Sequence, residues 1–122
     1  HKYNQLYIKI MKEQITYDLF DKVDMFLTPV WPFALPTIEQ SDVGNNPEAV
    51  ALVQKIGHNT RPVNFLGLPA ICLPIGFDKN GLPVSAQLVG KPFSEGLLLR
   101  AARAIEHEFR FWDNRPADIK TA

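Results

Sequence analysis

Ile71-Cys72-Leu73-Pro74-Ile75-Gly76-Phe77, Asp78-Lys79-Asn80-Gly81-Leu82-Pro83 and Val84-Ser85-Ala86-Gln87-Leu88 form the stretch on which the fold of this 122-residue chain turns. Ile71, Leu73, Ile75 and Phe77 occupy alternate positions, as do Val84, Ala86 and Leu88. Side chains alternate between faces along a strand, so each run can turn one apolar face to a core. Asn80-Gly81 lies between them and readily takes the positive backbone angles of a tight turn whose twist matches paired strands. Asp78-Lys79 and Leu82-Pro83 leave room for a longer connection. The expectation is an antiparallel hairpin across 70–90.

Outward toward the C-terminus, Ser94 can cap a helix whose first turn holds Glu95, favourable near the positive end of the helix dipole. Leu98, Ala101, Ala102, Ile105 and Phe109 supply an inner face, and Arg100, Arg103, His107 and Arg110 a polar stripe, so the helix is expected over 95–109. From Trp112 onward the chain reads as irregular.

Toward the N-terminus, Pro62, Gly67 and Pro69 fix sharp changes of direction ahead of the hairpin. Val50, Val53 and Ile56 predict a short helix over 48–56, ending at Gly57. Pro29, Pro32, Pro36 and Pro47, with Gly44, Asn45 and Asn46, predict a long loop over 29–47. Trp31, Phe33 and Leu35 would be costly to leave bare, so that loop should pack on something, and loops of such length often belong to binding sites. Met25-Phe26-Leu27-Thr28 reads as a short strand, 25–28, stopped by Pro29. Tyr7, Met11, Ile15 and Leu19 recur every four residues among charged neighbours and predict an amphipathic helix over 4–22. No internal repeat or low-complexity tract interrupts this order.

Composition narrows the function classes. Lys plus Arg and Asp plus Glu number 13 each, so no excess positive field would draw in nucleic acid or an anionic membrane surface. A hydrophobic fraction of 46% with 11% aromatics favours a folded chain over a disordered one. Cys72 is the only cysteine, which excludes an internal disulfide, a multi-cysteine zinc site and an iron–sulfur site and fits a cytoplasmic setting. Apolar runs such as Leu97 to Leu99 fall far short of the roughly 20 residues a transmembrane helix needs. His1-Lys2-Tyr3 is neither an initiator methionine nor a secretory signal, and the chain is expected to be a fragment.

Chemistry-bearing residues are sparse. Ser41, Ser85 and Ser94 lie in neither Ser-x-x-Lys nor Gly-x-Ser-x-Gly, and their plain readings are loop, strand face and helix cap. Cys72 could pair with His58 or His107 as a thiolate, but its position between Ile71 and Leu73 favours core packing. His1, His58 and His107 lack metal-ligand spacing. Asp18, Asp21 and Asp24 read as a solvated face, as does the arginine stripe, and no glycine-rich phosphate loop is present. No catalytic residue, metal or cofactor is assigned.

Thr60-Arg61-Pro62-Val63-Asn64-Phe65-Leu66-Gly67-Leu68-Pro69-Ala70, the hairpin strands, Gly81-Leu82-Pro83-Val84-Ser85-Ala86-Gln87-Leu88-Val89-Gly90, and Pro92-Phe93-Ser94-Glu95 with its Leu98-Leu99 helix resemble, in order and spacing, the C-terminal region of amidase-signature enzymes. Asp24-Met25-Phe26-Leu27-Thr28-Pro29 resembles the strand that enters the family's proline-containing loop. The resemblance implies an α/β class: 1–122 would be the C-terminal part of one α/β/α sandwich with a mixed sheet, including a hairpin followed by a helix. It also implies hydrolysis of a carboxamide through a serine, a cis-serine and a lysine, with backbone amides holding the oxyanion. Those groups belong to an earlier part of such enzymes, so the chain alone is expected to be inactive.

Trp31 and Phe33 would then line an apolar pocket for the acyl group or simply pack in the core, and Asn64 would contact substrate or, more in keeping with its surroundings, bind backbone of a neighbouring loop. Family members that release ammonia from glutamine place an aspartate just before the Thr-x-Pro-x-Asn segment. Here that neighbourhood is Ile56-Gly57-His58-Asn59, which favours a general amidase over a glutamine-hydrolysing amidotransferase subunit. The expected partners are the missing N-terminal part of the enzyme, a small amide substrate and a further copy in an oligomer, since part of a large sheet exposes edges that invite pairing. The rival class is a non-catalytic binding or assembly module derived from such an enzyme.

Overall fold

The structure, a computed structural model, describes residues 2–44 and 46–114. In chain order it forms α1 (Lys2–Phe20), β1 (Met25–Pro29), α2 (Ile38–Ser41), α3 (Pro47–Ile56), α4 (Arg61–Leu66), β2 (Ala70–Phe77), β3 (Pro83–Gly90) and α5 (Glu95–Phe109), then a 3-10 turn over Phe111–Asp113. The class is α/β.

β2 and β3 pair antiparallel as a hairpin, and β1 adds to the other side of β3, giving the order β1-β3-β2 with every described pairing antiparallel. The last described strand is therefore the centre of the sheet. That position explains its composition: a strand covered on both faces carries an unbroken buried run, here Ala86 to Gly90.

Leu88 and Val89 show how the layers form. As consecutive strand residues they point to opposite faces. Leu88 joins Leu73, Leu98 and Ala102 in one core beneath α5, with Met25, Ile71, Ala101 and Ile105 around it. Val89 joins Phe20, Val63 and Leu68 in a second core made by the end of α1 and by α4, with Phe26 and Leu66 packed against it. Phe20 and Phe26 meet at 5.6 Å between ring centroids. Helices on both faces of one sheet make an α/β/α arrangement.

The hairpin closes through the connection 78–82. Asp78 N–H donates to Leu82 O (2.8 Å) and Gly81 N–H to Asp78 O (3.0 Å), with Gly81 at φ 79°. Asp78 Oδ1 accepts from the N–H groups of Asn80 (2.8 Å) and Leu82 (2.9 Å). The register slips between Pro74 and Gly76, beside a proline that has no N–H for the ladder. Ile75, inside that irregularity, and Phe77, beyond it, are 39% and 49% exposed, so the apolar alternation read along β2 reaches the core through Ile71 and Leu73.

Several expectations need correction. The stretch 29–47 is not loop throughout: α2 forms within it, because Thr37 and Gln40 make a reciprocal capping box. The helix expected over 48–56 begins at Pro47, behind Asn46 as its cap, since proline is well suited to a first helical position. The run 61–66, read only as a source of sharp turns, is helical, with Pro62 in its first turn and Gly67 (φ 71°) ending it.

The helix expected over 4–22 spans Lys2–Phe20, and its proposed inner stripe of Tyr7, Met11, Ile15 and Leu19 is exposed, whereas Phe20 is buried. Ser94 precedes α5 but does not cap it: its hydroxyl donates to Lys91 O (2.6 Å) instead. Cys72 is exposed rather than packed in the core, because it occupies the face of β2 opposite Ile71 and Leu73. The tail is not irregular from Trp112, since the 3-10 turn runs to Asp113; residues 115–122 lie outside the described residues.

Candidate functional site

The loop leaving β1 carries Trp31 and Phe33 to the start of β3. Their rings meet edge to face, centroids 6.4 Å apart at 90°, a favoured aromatic geometry. With Ala34, Leu35, Asp78, Pro83, Val84 and Ser85 they line a cavity of about 260 Å³. Two aromatic rings and aliphatic groups make most of its wall, and Asp78 and Ser85 supply polar atoms. A larger crease of about 660 Å³ runs between Ala34–Pro36 and the helices α2 and α3, but Gln40, Asn46, Glu48 and Lys55 give it a polar border and no aromatic ring lines it. Apolar walls with a few polar groups are common in small-molecule sites, and a wider depression of about 670 Å³ at the turn end of the hairpin is also bordered by aromatic rings, those of Phe77 and Phe111.

A hydrogen-bond network centred on buried Gln87 joins the segments that lead into the Trp31–Phe33 cavity. Val30 N–H donates to Ser85 O (3.1 Å), which carries the pairing of β1 with β3 one step past Pro29. Gln87, 2% exposed, directs both amide hydrogens to named acceptors: Nε2 donates to Thr28 Oγ1 (2.9 Å) and to Asn59 O (2.9 Å). Asn59 Nδ2 donates in turn to Pro29 O (2.8 Å). The carbonyl of Asn59 can only accept, which fixes which end of the Gln87 amide faces it.

Sequence reasoning named Trp31, Phe33 and Asn64. The structure brings the first two together and leaves the third apart: Asn64 lies exposed on α4 and does not line the cavity. The side chain that reaches the backbone of another segment is Asn59, at the end of β1. Gln87, Asn59 and Thr28 were missed as a group. An amide inside an otherwise apolar strand, Ala86-Gln87-Leu88-Val89, was the available signal, since a buried amide needs partners.

The remaining candidate chemical groups are engaged elsewhere or stand apart. Ser41 Oγ donates to Thr37 O and Ile38 O, both at 3.0 Å. His58 and His107 are exposed, on the α3–α4 connection and on α5. Among the described residues no group of three or more His, Cys, Asp or Glu could hold a metal ion, and no helix is long and apolar enough to cross a membrane.

The family model described as Amidase matches residues 2–99, most of the chain. The chain belongs to the amidase family. Among curated amidase-family relatives, the fatty acid amide hydrolase of Medicago truncatula is 37% identical over 89 residues, covering 73% of this chain and 15% of that protein. A glutamyl-tRNA(Gln) amidotransferase subunit of Prochlorococcus marinus is 42% identical over 99 residues, 81% of this chain and 19% of its own length. The solved structure of 6-aminohexanoate cyclic dimer hydrolase complexed with substrate superposes with a TM-score of 0.76 at 26% identity, covering 90% of this chain and 24% of that one. This amidase-family chain thus spans less than a quarter of the length of these relatives.

Proposed function

We propose that the chain is the C-terminal part of a cytoplasmic amide hydrolase that converts a carboxamide and water to a carboxylate and ammonia. In this reading the serine, cis-serine and lysine lie in an earlier part of the protein, and Trp31 and Phe33 wall the pocket for the acyl group. The observation that carries it is the aromatic cavity of about 260 Å³ set in a chain of this family. The serine would attack the amide carbon, ammonia would leave on protonation through the cis-serine and lysine, and water would release the acid. Asp78 and Ser85 would meet polar atoms of the substrate, while Asn64, exposed on α4, is left out of the pocket.

The rest of the enzyme is the proposed partner. Leu6, Ile8, Ile10 and Met11 on α1 are between 42% and 56% exposed, apolar side chains that packing against the rest of the enzyme would cover. A general amidase is preferred to a glutamine-hydrolysing subunit because Ile56-Gly57-His58-Asn59 offers no acid to an α-ammonium group.

The test compares the full-length protein with residues 1–122 alone, measuring ammonia released from simple carboxamides and from glutamine. Turnover of carboxamides by the full-length protein alone is the expected result. Turnover by the isolated chain would show that its machinery is local, and preference for glutamine would replace the general amidase by the amidotransferase reading.

A further inference from the structure

We infer that Gln87, Asn59 and Thr28 are positioning residues that set the width of the Trp31–Phe33 pocket and so the size of acyl group the enzyme accepts; this rests on the pocket reading above. Gln87 is the buried polar side chain of a strand whose neighbours Ala86, Leu88 and Val89 are all apolar. A residue needed there only to fill space would carry no amide, because a buried amide is costly unless every bond is made. This amide is used to bring three separate segments to one place.

From the middle of β3, Nε2 reaches Thr28 on β1 and the Asn59 carbonyl on the α3–α4 connection. Asn59 then returns to β1 through its own side chain, at Pro29 O. Thr28 and Pro29 are thus held from two sides, immediately ahead of Val30 and Trp31. Pro29 faces Ala86, and the backbone pairing of β1 with β3 continues past it through Val30 N–H to Ser85 O. The side-chain network adds to that pairing where β1 ends.

The consequence is for specificity. Trp31 follows Pro29 by two residues, too short a tether to absorb movement at its root. A shift of the strand end moves the aromatic wall against Val84 and Ser85, which are fixed on β3. Apolar pockets discriminate between ligands differing by one methylene by roughly ten- to two-hundredfold, so a small displacement of one wall is enough to change acyl-length preference.

The experiment uses the full-length enzyme with acetamide and hexanamide as probes and reads the ratio of kcat/KM for the two, alongside thermal melting. Trp31→Ala tests the pocket itself. Asn59→Ala removes the bond to Pro29 and leaves the backbone acceptor for Gln87; Thr28→Val removes the hydroxyl at nearly constant shape; Thr28→Ser restores it. We expect Trp31→Ala, Asn59→Ala and Thr28→Val each to shift the ratio by about fivefold or more, mainly through KM for hexanamide, and Thr28→Ser to return it to within about twofold of the parent.

A fold-supporting role alone would lower melting temperature or depress both amides in proportion. If Trp31→Ala shifts the ratio while Asn59→Ala and Thr28→Val melt cooperatively with the parent ratio, the positioning inference is overturned and the pocket stands. A parent ratio in Trp31→Ala, or no turnover of either amide by the parent, overturns the pocket reading first. Failure of both Asn59→Ala and Thr28→Val to fold would also overturn the inference, marking the network as support for the fold.

Discussion

Gly90 on β3 lies so close to Leu98 on α5 that a Cβ at position 90 would sit 3.2 Å from both Cγ and Cδ2 of that leucine, and closer still to Ser94 Oγ. The helix rests directly on the strand backbone. Gly90→Ala is therefore expected to push α5 off the sheet and destabilise the protein by about 1–3 kcal/mol, the usual cost of overfilling a packed site. Gly76→Ala, where nothing lies within 4 Å of the added carbon, is the control and should be near neutral. Thermal and urea unfolding of the two variants check this; equal stabilities would contradict the close approach.

Gly67 tests a different cost. It ends α4 at φ 71°, with its N–H and that of Leu68 donating to Val63 O at 3.0 and 3.2 Å. An added Cβ meets nothing within 4 Å, so the penalty is conformational alone. Gly67→Ala should lose about 1–2 kcal/mol, and Gly67→Asn less, because asparagine tolerates this backbone region better. Chemical denaturation would detect the ordering Gly, Asn, Ala.

Asp78 organises the hairpin connection through two backbone donors, Asn80 and Leu82. Asp78→Ala leaves both without their side-chain acceptor, for an expected loss of about 1–2 kcal/mol, while Asp78→Asn keeps an oxygen in place and recovers most of it. A variant series in which alanine and asparagine behave alike would show that the turn closes on its backbone bonds alone.

Cys72 reports on what covers β2. It is exposed here, on the sheet face away from α5. If the rest of an amide hydrolase packs against that face, native full-length protein should react with iodoacetamide many times more slowly than residues 1–122. Equal rates would mean that this face of β2 stays open in the larger protein.

What the sequence revealed depended on how local the cause was. The hairpin and α5 were legible because period-two and helical apolar spacing are written in adjacent residues, as at Ile71 and Leu73 or Leu98 and Ala102. α4 is harder to read, because proline and glycine at Pro62 and Gly67 mark turns as readily as they bracket a helix, the proline in its first turn and the glycine just past its end. The exposure of Cys72 turned on which face of β2 receives a covering helix, a property of the assembled layers. At the site, Trp31 and Phe33 stood out as aromatics in a proline-rich loop. Gln87 did not, since its partners lie 59 and 28 positions away.

The sheet's order also sets a timetable for assembly. β2 and β3 are neighbours in the chain and can close cheaply, and α5 follows at once to cover them, whereas β1 must return across a long intervening stretch to find β3. The expected sequence of events is hairpin and α5 first, β1 last. The loop bearing Trp31 and Phe33 acquires its shape only at that final docking, so the pocket matures after most of the sheet already exists.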